Sequence, residues 1–233
     1  MKNWVSGVLL VALGFVARPG QAKVEFEVGA RLGYAAPSGK LNDEPPTTDA
    51  MQTTVWDNEL KSVVLGQVPL GLELGIRALP MLTLGGYVEL APGILGSTAS
   101  DGCDAYDHDC STLGIRFGFM GHVHVLPHQP IDPWLGVGVG FEALTLKEEL
   151  TSRIAITLAY TGVEVPLRAG VDFKLNEKFY LGPYVGYTFG KFYGVSLSCE
   201  GADDCPDEES RHIDKTAGHS WLGFGAKLTI IAY

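Results

Sequence analysis

Charged side chains lie two or four positions apart in several otherwise apolar stretches of this 233-residue chain. Glu25, Glu27 and Arg31 alternate with small and apolar residues in the first stretch, and Glu73 and Arg77 do so in the second. Acids and bases spaced in this way can form buried ion pairs, because a charge removed from water requires a partner of opposite sign. The full set is Glu25, Glu27, Arg31, Glu73, Arg77, Glu89, Arg116, Glu142, Glu164, Arg168, Asp172 and Lys227.

A period of two indicates β-strands, since successive side chains of a strand point to opposite faces. Eight stretches show the pattern, and the connections between them run long, short, long, short. This arrangement predicts an all-β fold, an eight-stranded antiparallel up-and-down transmembrane β-barrel with tight turns at one end and loops at the other. The predicted strands cover residues 24–35, 63–78, 82–91, 113–125, 134–143, 162–173, 179–190 and 221–232.

Large apolar residues occupy one face of every predicted strand, and glycines with the charged set occupy the other. An eight-stranded barrel has an interior just wide enough for side chains to fill. We therefore expect the charged face to line the lumen, as a paired polar plug or, alternatively, as a gated ion path through exchanging pairs. The expected neighbours are Glu25 and Glu27 with Arg77 and Lys227, Arg31 with Glu73, Glu89 with Arg116, and Arg168 between Glu164 and Asp172.

Several irregularities interrupt the pattern. Lys227 and Thr229 break the apolar alternation counted back from the terminal aromatic, which predicts a late bulge in the last strand. Residues 154–161 are a candidate extension of the sixth strand with a phase slip, and residues 192–197 of the seventh. Prolines inside strands without a free edge predict a bulge or a missing ladder hydrogen bond at each position. These prolines are Pro69, Pro166 and Pro183.

The four cysteines lie in two of the predicted outer loops. Pairing of Cys103 with Cys110 and of Cys199 with Cys205 closes two short loops, and exported chains fold in an oxidising compartment. A metal site around the first pair is the alternative, although thiolate zinc ligands usually come in tighter pairs. We therefore expect two disulfides, no metal and no cofactor. The alternative site would use Asp101, Cys103, Asp104, Asp107, His108, Asp109 and Cys110.

The predicted outer loops are acidic, and the chain carries a formal charge of −10. A basic footprint is absent, so we expect no nucleic-acid partner. The acidic loops could bind Ca²⁺ or bridge to anionic surface lipid through divalent cations. The simpler interpretation is a solvated surface, since no spaced calcium-loop motif is present. Loop four holds the largest cluster: Glu200, Asp203, Asp204, Asp207, Glu208, Glu209 and Asp214.

Residues suited to catalysis are few. His219 and Ser220 begin the last predicted strand with no acid partner fixed by the sequence, and filling of the interior accounts for His122 and His124. A catalytic assignment needs geometry before residue type. We therefore expect no enzyme, and a lipid-modifying hydrolase using His219 or Ser220 is the third hypothesis.

The first 22 residues have the features of a secretory signal peptide. Lys2 gives a positive start, residues 7–16 form an apolar core, and Gly20-Gln21-Ala22 offers small residues before a cleavage site. This predicts a signal peptide over 1–22 and a single outer-membrane barrel domain over 23–233.

The strand end Gly33-Tyr34, the segment Pro133-Trp134-Leu135-Gly136-Val137-Gly138 and the ending Ile231-Ala232-Tyr233 accompany this topology. Together they resemble the small eight-stranded outer-membrane β-barrels of the OmpA, OmpX and OmpW type. The resemblance implies a Gram-negative cell outer membrane and outer-membrane lipids as partners, and we expect a monomer. From the loops we expect a scaffold that meets extracellular surfaces in adhesion or envelope integrity. Resemblance to the OmpW type implies the alternative, a narrow channel for small or hydrophobic solutes.

Overall fold

The computed structural model describes residues 25–43, 58–150, 154–201 and 209–232. Strands dominate these ranges, and no helix within them is long and apolar enough to cross a membrane. The elements are β1 Glu25–Gly39, α1 Leu60–Val63, β2 Val64–Gln67, β3 Leu70–Leu79, β4 Leu82–Leu95, α2 Ser97–Ala105, β5 Asp109–His124, β6 Ile131–Glu149, β7 Ala155–Lys174, β8 Phe179–Glu200, β9 Glu209–His212 and β10 Gly218–Ala232.

The strands close into an antiparallel ring with eight wall strands. β1 pairs with β10 in one continuous register from Phe26↔Ala232 to Gly39↔His219, which closes the ring. β2 and β3 together form the second wall strand, between β1 and β4. β9 lies outside the ring and pairs with the upper part of β8. The predicted fold class is confirmed.

Proline interrupts the ladders as predicted. Pro69 lies between β2 and β3, where the Val68 N–H donates to the Pro92 carbonyl (2.9 Å) and the Gly33 N–H donates to the Pro69 carbonyl (3.2 Å). Pro166 and Pro183 each fall in a short gap of one ladder, while the register continues unchanged on either side. The wall therefore loses individual backbone bonds without losing its alignment.

The last strand is more regular than the sequence predicted. β10 keeps its register with β1 throughout, so the predicted late bulge is wrong for Gly218–Ala232. Lys227 and Thr229 are fully buried, because both point into the lumen and contact polar partners there. Tyr233 lies outside the described residues.

Three strands extend well beyond their predicted ends on the loop side. The connection expected over 144–161 is mostly a hairpin of β6 and β7, and the two strands are joined by residues 150–154. The expected extensions of the sixth and seventh wall strands, β7 and β8, are confirmed. The register does slip here, because Thr161 pairs with Gly194 and Gly162 with Phe192, but the extra residue is Tyr193 of β8. The slip predicted within residues 154–161 therefore lies in the neighbouring strand.

The two faces of the wall differ in chemistry. Leucine, valine, isoleucine and phenylalanine side chains cover the outside, with Leu74 66% and Phe119 75% exposed. Polar side chains fill the inside, and a separate apolar core closes the loop end. This apolar cap consists of Ala35, Leu41, Leu60, Val63, Val64, Leu144, Leu146, Tyr160, Phe192, Ile213 and Trp221.

Candidate functional site

Glu27 organises the turn end of the lumen. Its carboxylate accepts hydrogen bonds from Arg77 Nη2 (3.1 Å), Lys227 Nζ (3.3 Å) and Thr83 Oγ1 (3.0 Å). Glu25, which is less buried, lies 3.9 Å from Arg77 Nη1. Donors from β3, β4 and β10 therefore converge on an acid of β1, which links both sides of the ring closure.

A lattice of four side chains crosses the middle of the lumen. Arg31 lies 2.8 Å from Glu73 and 3.2 Å from Glu89, measured between nitrogen and oxygen atoms. Arg168 reaches the same two acids from the opposite wall, at 2.9 and 3.5 Å. Lys227 lies 3.3 Å from Glu73 and joins this lattice to the turn-end group. Each acid is thus held by at least two cations.

Arg116 is the hub of the upper lumen. Its guanidinium donates to Glu89 (2.9 Å), Glu142 (3.0 Å) and the side-chain oxygen of Gln67 (2.6 Å), and it lies 3.4 Å from Glu164. A planar guanidinium with five N–H groups suits this many acceptors. Arg116 is 3% exposed, so these contacts replace its hydration.

Glu142 connects the hub to the apolar cap. Trp221 Nε1 donates to one carboxylate oxygen at 2.8 Å, and His219 Nε2 lies 2.7 Å from the other. The His219 ring stacks on Phe192, with 4.1 Å between ring centroids. Phe192 and Trp221 belong to the cap, so the polar lattice passes directly into an apolar closure.

Aromatic rings occupy much of the remaining lumen, which the sequence analysis did not predict. Their positions continue the glycine face of each strand, so alternation alone could have identified them. Each lies against a lumen cation, an arrangement that stabilises buried cations through the ring quadrupole. The pairs are Arg116 with Trp221 (4.7 Å), Lys227 with Trp134 (4.7 Å), Arg168 with Tyr87 (5.1 Å) and Arg31 with Tyr184 (5.6 Å).

The structure places the whole charged set on the inner face, all buried except for the partly exposed Glu25. Neighbours expected on adjacent strands do meet. Arg168 lies between Glu164 and Asp172 on one face of β7 as expected, but its ion pairs are with Glu73 and Glu89 instead. Residues four apart on a strand are separated by roughly 13 Å, so contact would require both side chains to extend along the strand. Glu164 instead accepts from Tyr87, and Asp172 accepts from Trp134 Nε1 at 3.0 Å.

Histidines and one further acid also belong to the lumen. His124 Nδ1 lies 2.9 Å from Asp132, an acid that the sequence analysis missed, and His122 Nε2 lies 3.8 Å from Glu73. Asp132 shares the strand face of Trp134, which was the available signal. These side chains fill space between the charged groups at the turn end.

His219 and Ser220 point to opposite faces of β10. His219 faces Glu142 in the lumen, whereas Ser220 Oγ lies 2.7 Å from Ser38 Oγ and accepts a hydrogen bond from Tyr187 at 2.8 Å. Adjacent residues of a regular strand always diverge in this way. The two side chains therefore do not form a nucleophile and base pair.

The first cysteine pair forms a disulfide. Cys103 and Cys110 link the end of α2 to the start of β5, so neither thiol is free for a metal. Within the described ranges, no group of three or more His, Cys, Asp or Glu side chains could hold a metal ion. Cys205 lies outside those ranges, and the Cys199–Cys205 bridge stays a prediction.

The acidic loops are only partly described. Asp101, Asp104, Asp107 and Asp109 are exposed around the disulfide, and His108 Nδ1 lies 2.7 Å from Glu148. In loop four Glu200 and Asp214 are exposed, whereas Asp203, Asp204, Asp207 and Glu208, and the side chain of Glu209, lie outside the description.

An apolar outer wall, a filled polar lumen and alternating tight and looped connections define the class of small transmembrane β-barrels. No family model and no curated protein matches the sequence. A major outer membrane protein from Thermus thermophilus is similar in structure, with a TM-score of 0.59 and 13% identity over 89% of this chain and 99% of that chain. OprG, an outer membrane protein of Pseudomonas aeruginosa, has a TM-score of 0.50 and 12% identity over 90% of this chain and 96% of that chain. The chain therefore has the fold of eight-stranded outer-membrane barrels.

Proposed function

We propose that this protein is a scaffold of the Gram-negative outer membrane that presents acidic, disulfide-braced loops outside the cell, in adhesion or envelope integrity. The observation that carries the proposal is the double closure of the barrel. Ion pairs cross the lumen from wall to wall, and the apolar cap covers the loop end. A barrel closed in this way supports loops better than it transports solutes.

Loop lengths set the proposed orientation. The turn end faces the periplasm and the loops face outward, as in other small barrels of this membrane. Residues 1–22 are a cleaved signal peptide and residues 23–233 are the mature barrel domain in this proposal, although the segment before Glu25 lies outside the described residues. The protein acts as a monomer among outer-membrane lipids, with extracellular surfaces or divalent cations as partners of the loops.

A non-enzymatic role is part of the proposal. The opposite orientations of His219 and Ser220 support it, since a hydrolase needs its base within hydrogen-bond reach of the nucleophile. No cofactor is required for a scaffold.

A narrow channel for small or hydrophobic solutes is the second candidate, and one observation favours it. Glu73 and Glu89 each contact both Arg31 and Arg168, so an acid can exchange one cation for another without losing its partner. Exchange of this kind would open a path through the lattice only if the apolar cap also moved.

Loop replacement tests the scaffold proposal. Residues 97–108, which include α2 and the exposed Asp101, Asp104 and Asp107, are replaced by a Gly-Ser linker in cells that carry the protein. We expect lower adhesion to an extracellular-matrix coating, or greater sensitivity to detergent, with an intact barrel by heat-shifted gel migration. The matched control replaces the turn residues 175–178 at the opposite end. Unchanged adhesion and detergent sensitivity would contradict the proposal.

A further inference from the structure

A groove of about 500 Å³ lies on the outer surface of the wall across β5, β6, β7 and β8. Phe117, Phe141, Val163 and Phe189 contribute apolar side chains to it, and the rings of Phe117 and Phe141 pack 5.6 Å apart. The groove is open to the lipid side of the wall. It is thus a preformed depression in the exposed apolar outer face of the wall, here called the apolar belt, and its size is typical of small-molecule sites.

One cation borders this groove. Lys191 is exposed on the outer face of β8, between Phe189 and Tyr193, and pairs across the ladder with Gly218, where β10 begins. The outer face of β8 is apolar from Phe179 to Phe189, and Lys191 is the first charged residue above that run, so Lys191 marks the outer boundary of the apolar belt. No carboxylate of the described ranges forms an ion pair with it. Glu164, the acid beside the groove, lies 3.4 Å from Arg116 in the lumen.

Lysine is costly on a lipid-facing wall unless its ammonium reaches the headgroup layer, where anionic lipids attract it. The apolar groove below and the single cation at its outer end match an amphipathic molecule with a negative head. We propose that the groove binds one anionic lipid of the outer leaflet, with an acyl chain against Phe117, Phe141 and Phe189 and the headgroup phosphate on Lys191. The site rests on the proposed membrane location and is independent of the loops' role.

Native mass spectrometry of the full mature protein tests this site. The protein is released from detergent in the presence of equal amounts of phosphatidylglycerol and phosphatidylcholine, and the retained lipids are counted. We expect one retained phosphatidylglycerol in excess over phosphatidylcholine. Lys191→Gln should reduce that preference about fivefold, because one lysine near an anionic surface contributes about 1 kcal/mol. Lys178→Gln, an exposed lysine at the turn end, is the matched control and should leave the preference unchanged.

A second variant separates the groove from the charge. Val139→Trp, on β6 and away from Lys191, fills the groove, and we expect it to lose the retained lipid while still showing heat-shifted migration on gels. Lys191→Gln removes only an exposed charge, so it should fold even if Val139→Trp does not. Equal retention of the two lipids by the wild type would overturn the proposal, as would a Lys191→Gln variant that keeps its preference or a Lys178→Gln variant that loses it.

Discussion

Arg116 is the residue on which most of the polar lumen depends. In Arg116→Ala, Glu142 and Glu164 would lose their guanidinium partner, whereas Glu89 would keep Arg31 and Arg168. Breaking a buried ion pair typically costs about 3–5 kcal/mol, because the partner charge remains buried and uncompensated. We expect a loss of that size in the free energy of unfolding, measured by urea denaturation of the protein in lipid vesicles.

Lys61→Ala is the control for this measurement. The Lys61–Glu59 pair has an N–O distance of 2.9 Å, but the two side chains are 66% and 43% exposed. An exposed pair of this kind contributes about 0–1 kcal/mol. If Arg116→Ala were no more destabilising than Lys61→Ala, Arg116 would not hold the lumen together.

Contacts between neighbouring strands were predictable from the sequence at this scale. Glu89 and Arg116 lie opposite each other in the β4–β5 register, which hairpin topology largely fixes. The partners of Arg168 were not predictable, because Glu73 lies across the lumen on β3. Contacts across the barrel depend on its diameter and on the length of the side chains, and the alternation pattern predicts neither which strands face each other nor how far apart they lie.

Some glycines on the lumen face lie too close to a neighbouring strand to be replaced by a larger residue, and others do not. A Cβ at Gly225 would overlap the carbonyl oxygen of Leu32 on β1, whereas at Gly223 the nearest atom is 3.6 Å away. We expect Gly225→Ala to cost about 1–3 kcal/mol, since backbone atoms must move to admit the methyl group. Gly223→Ala, on the same strand and face, should change stability by at most about 0.5 kcal/mol. Equal effects of the two variants in urea unfolding would contradict the close β1–β10 packing at Leu32.

The Cys103–Cys110 disulfide acts on one loop. It closes a segment with a sequence separation of 7 residues, for which the chain-entropy model gives about 2 kcal/mol. We expect Cys103→Ser with Cys110→Ser to speed proteolysis within residues 97–109 while the urea midpoint of the barrel stays nearly unchanged. Non-reducing peptide mapping of the wild type should recover the 103–110 link and, as predicted, the 199–205 link. A link between Cys110 and Cys199 would show that the pairing is wrong.

At the level of whole elements, the alternation predicted which strands exist but not where they end. β6, β7 and β8 continue above the apolar belt, and Leu144, Leu146 and Tyr160 still point inward there. Alternation of side chains therefore does not show where the lumen ends and the apolar cap begins. α1 and Ile213 complete the cap from outside the ring. Their contribution requires the tertiary fold, since neither belongs to a periodic stretch.

The molecule as a whole is built with its polar side chains inside and its apolar side chains outside. Exposed apolar residues cover the wall, which would be an aggregation surface in water and is a suitable surface in lipid. The polar side chains inside must then find partners among themselves, which most do through shared acids, guanidinium groups with several acceptors, and aromatic contacts. We therefore expect a closed lumen, because pairs such as Arg168 with Glu73 span the space that a solute would need.

Conductance across a planar lipid bilayer tests that closure most directly. With the lattice of Arg31, Glu73, Glu89 and Arg168 in place beneath the apolar cap, the purified wild-type protein should insert without producing a steady conductance. Insertion is verified in the same membrane by heat-shifted migration of the recovered protein. A steady, nanosiemens-scale conductance from folded wild-type protein would contradict the closed lumen and would favour the channel.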